Sequence, residues 1–280
     1  MGRTFSIPDS VPLEEQDGHT FPALVAVMRR LLAPDGCPWD REQDMASLRK
    51  YVLEEACEVI DAIDSGDRAH LQEELGDLAL QVVFLAELAR RDGDFGPDDV
   101  VRGIVEKLVR RHPHVFGETS VEGTEEVLQN WERIKANEKG DRGLLDGVAR
   151  SLPALYRAQR TSEKVSRVGF DWPDAQGSRE KVAEELAELD ESVRSGDRAR
   201  IEAELGDLLF ALVNFARHHG IDAETALRGT CDRFSRRFAH VERRVREEHG
   251  DFPRSKDGKP GAGIPLSVLD GYWEEAKREG

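Results

Sequence analysis

Apolar residues recur every three or four positions along most of the chain, which is the spacing of an α-helix. This pattern predicts a first helix over residues 21–33 and a long second helix over about 44–65. Gly66 is placed to end the second helix, and Asp67 is placed to cap a third helix that runs to about residue 91. Two helices joined by so short a turn are expected to pack against each other as an antiparallel hairpin.

Two more helices are predicted in the first half, over about residues 100–111 and 125–137, with irregular loops between them. No stretch alternates apolar and polar residues as a β-strand would. The predicted fold class is therefore all-α, with the hairpins packed as helical bundles.

The second half of the chain repeats the motifs of the first half in the same order. SGDRA occurs at 65–69 and again at 195–199, and ELGDL occurs at 74–78 and again at 204–208. The pairs FPAL and LPAL, KLVRR and RFSRR, and WERIK and WEEAK extend the match along both halves. This order predicts tandem copies of one helical domain.

The repeat divides the chain into four predicted segments. They are a flexible N-terminal tail (1–20), a first helical domain (21–138), a linker (139–150) and a second helical domain (151–280) with a mobile loop (250–265).

Charge and cysteine content restrict the expected partners and location. The formal net charge is -16 and the pI is near 5.0, which argues against binding to a nucleic-acid polymer or to an anionic membrane. The three cysteines are widely separated, and neither a signal peptide nor an apolar run of roughly 18 residues is found. These features predict a cytoplasmic protein with no membrane partner.

Each predicted hairpin carries four carboxylates at matching distances from its glycine. Glu58 and Glu74 each lie eight residues from Gly66, and Glu55 and Asp77 each lie eleven residues from it. Residues equidistant from the turn of an antiparallel hairpin face each other, so the four side chains should form two rungs about one helical turn apart. The corresponding residues around Gly196 are Glu185, Glu188, Glu204 and Asp207.

Four ionised carboxylates so close together repel one another unless they are protonated or neutralised by cations. Hard oxygen ligands of this kind suit Mg²⁺ or Mn²⁺, and Mg²⁺ also binds substrate phosphates. Leu75 and Leu78 border these positions in the predicted buried stripe, which disfavours a purely solvated acidic face. A single Glu-x-x-Glu pair is common on helices, but two copies with the same symmetry favour metal sites.

Basic and aromatic residues on later helices are candidates for binding a phosphorylated ligand. Arg233, Arg236 and Arg237 cluster on one predicted helix, and guanidinium groups pair well with phosphate oxygens. Taken alone, this cluster is more simply interpreted as a solvated basic face. Trp273 could stack on a nucleobase, although a tryptophan on a terminal helix more often packs in a core.

Together these motifs resemble the MazG family, the nucleoside triphosphate pyrophosphohydrolases of bacteria. The resemblance rests on E-E-x-x-E followed by E-x-x-D in both copies, on CPWDREQ in the first copy, and on KVAEE, ELGDLLFALVNFARH and RFSRRF in the second. It extends over residues 21–277. It implies an all-α homodimer that uses Mg²⁺ to hydrolyse nucleoside triphosphates to monophosphate and pyrophosphate, with water attacking the α-phosphorus.

The resemblance also implies roles for individual residues. The implied metal ligands are Glu55, Glu58, Glu74 and Asp77 in the first copy and Glu185, Glu188, Glu204 and Asp207 in the second. The implied contacts to triphosphate and base are Lys181, Glu185, Arg200, Asp207, Arg233, Arg236, Arg237 and Trp273.

The two copies differ at two positions that would bear on phosphate binding. Lys181 corresponds to Tyr51 in the first copy, and Arg200 corresponds to His70. Because a cation at each position suits a polyphosphate, we predict that the second copy is the main catalytic one, with Lys181 among its catalytic residues. Glu184 adjoins the implied ligands and is the candidate to orient the attacking water.

Two other functions are compatible with parts of the sequence. A di-iron or di-manganese redox bundle usually supplies Glu-x-x-His pairs, and neither hairpin has a histidine three residues after an implied ligand. A non-catalytic helical dimer that binds or senses nucleotides would share the same motifs. Release of pyrophosphate distinguishes this second alternative from the enzyme. No motif in the sequence indicates a preference for one base or sugar.

Overall fold

The computed structural model describes residues 20–127, 130–131, 134, 143–252 and 263–279. The chain divides into two compact units, Met1–Gly140 and Asp141–Gly280. The described residues form helices, turns and bends, and none of them lies in a strand, which confirms the all-α prediction. No helix in these ranges is both long and apolar enough to cross a membrane.

The first unit is organised around the hairpin predicted from the sequence. Its helices up to residue 116 are α1 (Phe21–Leu31), α2 (Pro38–Glu42), α3 (Met45–Ser65), α4 (Arg68–Arg91), α5 (Pro97–Arg111) and α6 (Pro113–Phe116). The short helices α2 and α6 lie between the predicted helices, in stretches for which the sequence predicts no helix. Helix α4 packs against α1, α3 and α5, and the buried side chains of Met28, Leu48, Val83, Phe84 and Leu88 form the core.

In the described residues of the second unit there are five helices, with a hairpin at the centre. They are α7 (Ala154–Ser166), α8 (Ala175–Ser195), α9 (Arg198–His218), α10 (Ala223–His249) and α11 (Leu266–Glu279). Helices α8 and α9 form the hairpin, and α7 packs against α9 and α10. A second apolar cluster joins α10 to α11 through Val241, Val245 and Tyr272.

Some predicted segments fall partly or wholly outside the described residues. These are the tail (1–20), the linker (139–150), the loop (250–265) and the helix at 125–137. Residues 124–127, 130–131 and 134 are helical, and residues 143–150 form turns and bends. The proposed domain limits stay predictions.

The turn of each hairpin has the same geometry in both units. Gly66 and Gly196 both have φ of 72°, a left-handed conformation that glycine adopts without a steric penalty. The carboxylates of Asp67 and Asp197 then accept hydrogen bonds from backbone N–H groups in the first turn of α4 and α9. These local signals fix where each hairpin reverses, and therefore which carboxylates face each other.

An ion pair between a buried carboxylate and half-exposed arginines attaches α1 to α4 in the first unit. The Glu87 side chain is fully buried, with its Oε1 2.9 Å from Nη2 of Arg29 and its Oε2 2.7 Å from Nη2 of Arg90. Burial raises the pKa of Glu87, but the hydrogen bonds from the two arginines outweigh burial and hold the pKa of this carboxyl below its ordinary value of 4.5. Its pairing therefore stabilises the folded unit above pH 4.5, and this stabilisation is lost as the pH falls through the lowered pKa.

We expect Glu87→Gln to lower the free energy of unfolding by about 2 kcal/mol at pH 7, because charge-assisted hydrogen bonds are replaced by weaker neutral ones. The difference from the unaltered protein should shrink as the pH falls from 4.5 through the lowered pKa of Glu87, since the folded unaltered protein then also gains a neutral side chain at this position. Urea unfolding of the full chain at several pH values measures this effect. Glu106→Gln, at an exposed site on α5, is the control. A difference in unfolding free energy between Glu87→Gln and the unaltered protein that stays constant with pH would contradict the expectation.

Candidate metal centre

The first hairpin brings three of its four predicted ligands together. Glu55 and Glu58 on α3 and Glu74 on α4 each offer a carboxylate oxygen, and these oxygens all lie within 4.8 Å of one another. Asp77, one turn further along α4, lies outside this group. Burial is the main factor that raises the pKa of Glu55, and the charges of Asp77 and Glu58 raise it further.

The second hairpin repeats the arrangement. Glu185, Glu188 and Glu204 offer oxygens within 4.8 Å of one another, and Asp207 lies outside the group as Asp77 does. Glu185 is only 5% exposed, and its Oε2 has no hydrogen-bond partner among the described residues. A buried carboxylate oxygen without a donor is costly unless a cation neutralises it.

Both glutamate groups fit a hard divalent cation. Oxygens bound to one Mg²⁺ at about 2.1 Å lie about 3–4 Å apart, which is compatible with the separations in each group. The carboxylates are also the ligand type that Mg²⁺ and Mn²⁺ prefer. The ligand roles of these six glutamates, and of Asp77 and Asp207, stay predictions.

Lysine and arginine side chains contact the glutamates of the second hairpin. Lys181 Nζ lies 2.7 Å from Oε1 of Glu185 and 3.0 Å from Oε1 of Glu184. The hydrogen bond to Glu185, followed by the one to Glu184, raises the pKa of Lys181 well above its ordinary value, so this residue stays a cation at neutral pH. Arg200 Nε lies 3.6 Å from Oε1 of Glu204.

The corresponding positions of the first hairpin differ in chemistry. Tyr51 packs edge-on against Trp39, with ring centroids 6.2 Å apart, and Lys50 Nζ lies 4.6 Å from the Tyr51 ring centroid. His70 Nε2 lies 2.9 Å from Oε1 of Glu74, and this imidazole is charged only when protonated. The first glutamate group therefore has a different electrostatic environment from the second.

Sequence reasoning missed one polar side chain at the first hairpin. Gln81 Nε2 lies 3.4 Å from Oε1 of Glu55, and the equivalent position in the second hairpin is Ala211. Gln81 follows Glu74 by two helical turns and therefore lies on the same face of α4. A polar residue at this position, inside an apolar stripe, was the signal in the sequence that could have indicated a polar role.

The neighbouring leucine is less buried than its place in the apolar stripe suggested. Leu75 is 49% exposed, which contradicts the prediction that it belongs to the buried stripe, whereas Leu78 is partly buried. The acidic positions are therefore bordered by the exposed side chain of Leu75 and the partly buried side chain of Leu78.

The remaining predicted residues lie on α8, α10 and α11. Arg233, Arg236 and Arg237 line a pocket of about 230 Å³ together with His240, Arg243 and Glu279. Across the described parts of the chain, no ion pair joins these three arginines to the carboxylates of the second hairpin. Trp273 packs in the apolar cluster of α10 and α11, with its ring centroid 5.0 Å from that of Phe234. Glu184 is exposed and bonds only to Lys181 in the described chain.

The chain matches one protein family over two separate segments. The sequence model of the family, described as the MazG nucleotide pyrophosphohydrolase domain, matches residues 43–116 and 175–242. Each segment contains one complete hairpin, which confirms the tandem repeat.

Curated relatives match almost the whole chain. The nucleoside triphosphate pyrophosphohydrolase of Escherichia coli K12 is 44% identical over 91% of this chain and 96% of its own length. The nucleoside triphosphate pyrophosphohydrolase/pyrophosphatase MazG of Thermotoga maritima is 43% identical over 94% of this chain and 98% of its own. A crystal structure of a MazG-related protein from T. maritima is 30% identical and covers 41% of this chain and 98% of that one, with a TM-score of 0.37. On the two matched segments and the near-complete alignment with these relatives, the chain belongs to the MazG family.

Proposed function

We propose that this protein hydrolyses nucleoside triphosphates, with either ribose or deoxyribose, to nucleoside monophosphate and pyrophosphate. The observation that carries the proposal is the pair of glutamate groups, one in each hairpin, in a chain that aligns along its length with enzymes named for this reaction. One water molecule adds to the α-phosphorus as the bond to the α–β bridging oxygen breaks. The leaving oxygen departs with pyrophosphate, and the proton of the water is released to a base or to solvent.

The glutamates would hold Mg²⁺, or Mn²⁺ as the alternative. In the second hairpin the ligands would be Glu185, Glu188, Glu204 and Asp207, and in the first Glu55, Glu58, Glu74 and Asp77. A bound Mg²⁺ neutralises charge that develops on the phosphate oxygens and on the leaving group. A hard cation that keeps several waters and also accepts phosphate oxygens suits a partly exposed carboxylate site.

We assign the main catalytic site to the second hairpin. Lys181 is a permanent cation beside Glu185 and would lie near the triphosphate, as would Arg200 beside Glu204. Glu184 is exposed beside Lys181, where it could accept a proton from water. The arginine pocket of α10 would bind phosphate oxygens, and Trp273 would contact the base from the edge of its apolar cluster.

A homodimer is the assembly that we propose. Both hairpins expose large apolar side chains, whereas a monomer usually buries most of a continuous apolar helix face. The exposed residues are Met45, Leu53, Ile60, Ile63, Leu75 and Val82 in the first hairpin and Leu186, Val193, Leu205, Leu209, Phe210 and Leu212 in the second. Sedimentation equilibrium of the full chain tests this assembly, and a mass of 31.4 kDa at all concentrations would exclude it. A cytoplasmic location also stays a prediction.

Pyrophosphate release is the experiment that tests the proposed function. We expect the full chain with Mg²⁺ to release one pyrophosphate and one monophosphate per triphosphate consumed, across a panel of ribo- and deoxyribonucleotides. Chelation with EDTA should abolish release, and Mg²⁺ or Mn²⁺ should restore it, because the bound cation would neutralise the charge that develops on the phosphate oxygens. Nucleotide binding without pyrophosphate release would instead favour a sensor.

A further inference from the structure

Gln81 is a buried amide whose nitrogen contacts one glutamate of the first hairpin, Glu55. The residue is only 7% exposed, and its Nε2 lies 3.4 Å from Oε1 of Glu55. Its Oε1 is buried and has no hydrogen-bond partner among the described residues. Leaving an amide oxygen unpaired in a protein interior is unfavourable, so an unpaired oxygen on a side chain that contacts Glu55 calls for an explanation.

An amide oxygen is itself a ligand for hard divalent cations. Carbonyl groups of glutamine and asparagine bind such ions beside carboxylates, and they add an oxygen without adding charge repulsion. The amide nitrogen of Gln81 faces Glu55, so the same side chain can also hold that carboxylate in a fixed direction. Loss of a group that orients a metal ligand through a hydrogen bond typically lowers metal affinity by about 10- to 100-fold.

The second hairpin lacks this amide and carries permanent cations instead. Ala211 occupies the position of Gln81, and Lys181 Nζ lies 2.7 Å from Oε1 of Glu185. Arg200 Nε lies 3.6 Å from Oε1 of Glu204. A metal ion entering this group must displace or share the carboxylate oxygens that these side chains already contact, and it is repelled by their charges.

Among the residues that the structure describes, no comparable permanent cation contacts the carboxylates of the first hairpin. Within the described ranges, the ion pair formed by its four acidic residues is that of His70 with Glu74, and His70 is charged only when protonated. The two sites therefore differ in net charge although their glutamates are matched one for one.

We propose that the first hairpin is the tighter site for a free divalent cation, and that Gln81 is part of this site as an amide ligand and as the group that orients Glu55. The first hairpin then holds a cation in the absence of nucleotide, whereas the second takes up its cation together with the negatively charged triphosphate. This inference rests on the proposed function only in treating the two hairpins as metal sites.

Binding of Mn²⁺ to the full chain without nucleotide tests the proposal. The fall in the electron paramagnetic resonance signal of free Mn²⁺ at pH 8 measures the bound ion, and it does not depend on catalysis. We expect one class of sites that binds Mn²⁺ with high affinity, called the tight class below. Glu74→Gln should remove this class, and Glu204→Gln should leave it in place. We expect Gln81→Met, which keeps the side-chain volume but removes both polar atoms, to weaken the tight class by about 10- to 100-fold.

A control separates this effect from a loss of folding. Gln72→Met alters an exposed glutamine on the same helix and should leave Mn²⁺ binding unchanged. Circular dichroism melting of each variant reports whether the helices persist, and Gln81→Ala provides a second variant that copies the residue found at the equivalent position of the second hairpin.

Three results would overturn the proposal. They are loss of the tight class in Glu204→Gln, unchanged Mn²⁺ affinity in folded Gln81→Met, and the absence of any tight class. Failure of the proposed function is a separate result, because a chain that releases no pyrophosphate can still show the tight class and its loss in Gln81→Met.

Discussion

Glu204→Gln is expected to lower pyrophosphate release by at least about 100-fold, whereas Glu74→Gln should retain most of it. Glutamine keeps the size of the side chain but removes the negative charge that a divalent cation requires. Glu204 lies with Glu185 and Glu188 in the hairpin that also carries Lys181 and Arg200. Loss of charge there should weaken the binding of the metal together with the triphosphate.

The comparison between these two variants is informative because their sites are matched. Both replaced glutamates lie eight residues after the glycine of their hairpin, and both belong to a group of three glutamates. The measured quantity is kcat/KM for pyrophosphate release with the best triphosphate of the panel. Asp190→Asn is the control, since this exposed carboxylate lies two residues from Glu188 and therefore on another face of α8.

The assignment of catalysis to the second hairpin depends on this outcome. If Glu74→Gln alone abolishes turnover while its helices still melt as in the unaltered protein, the first hairpin is the catalytic one. Equal losses in the two variants would mean that both hairpins contribute to turnover.

Lys181→Met should reduce kcat/KM by about 10- to 100-fold, the loss expected for one charge-assisted hydrogen bond of about 1.5–3 kcal/mol. Methionine is similar in length but carries no charge, so the negative triphosphate loses an attractive partner. The same change should raise the affinity of the second hairpin for Mn²⁺ without nucleotide, because Glu185 no longer shares Oε1 with an ammonium group. In Lys181→Met, kcat/KM is thus expected to fall while the affinity of the second hairpin for Mn²⁺ rises.

This opposition distinguishes a role in phosphate binding from a structural role. A lysine that only stabilised the hairpin would lower both quantities when replaced. Lys181→Arg keeps the positive charge and should restore part of the lost kcat/KM. If kcat/KM in folded Lys181→Met equals that of the unaltered protein, Lys181 does not act on the substrate.

Much of the hairpin geometry was predictable because local chemistry specifies it. Gly66 and Gly196 adopt the left-handed conformation expected of a helix C-terminus, and the aspartates that follow them cap the next helix. With both turns located, counting residues outward predicted that Glu58 faces Glu74 and that Glu188 faces Glu204. The structure brings these pairs together, each with one further glutamate.

The positions of some side chains depend on how the helices pack, and counting residues from the turn could not predict them. Asp77 and Asp207 lie outside the groups, although their distances from the turn match those of Glu55 and Glu185. Residues at equal distances from the turn lie at the same level along the two helix axes. The direction in which their side chains point depends also on how each helix is rotated about its own axis. Leu75 is half-exposed for the same reason, because the width of the buried stripe is set by which neighbouring helices cover it.

The sequence by itself determined the long helices, the repeat, the reversal points of both hairpins and the identity of their carboxylates, because each follows from short-range spacing and capping. Only the tertiary structure showed that Gln81 faces Glu55 and that Lys181 lies across Glu184 and Glu185. It also showed that Glu87 pairs with Arg29 at a separation of 58 residues. Such contacts depend on the packing angle and rotation of whole helices, which many weak interactions set together and which no local stretch of sequence encodes.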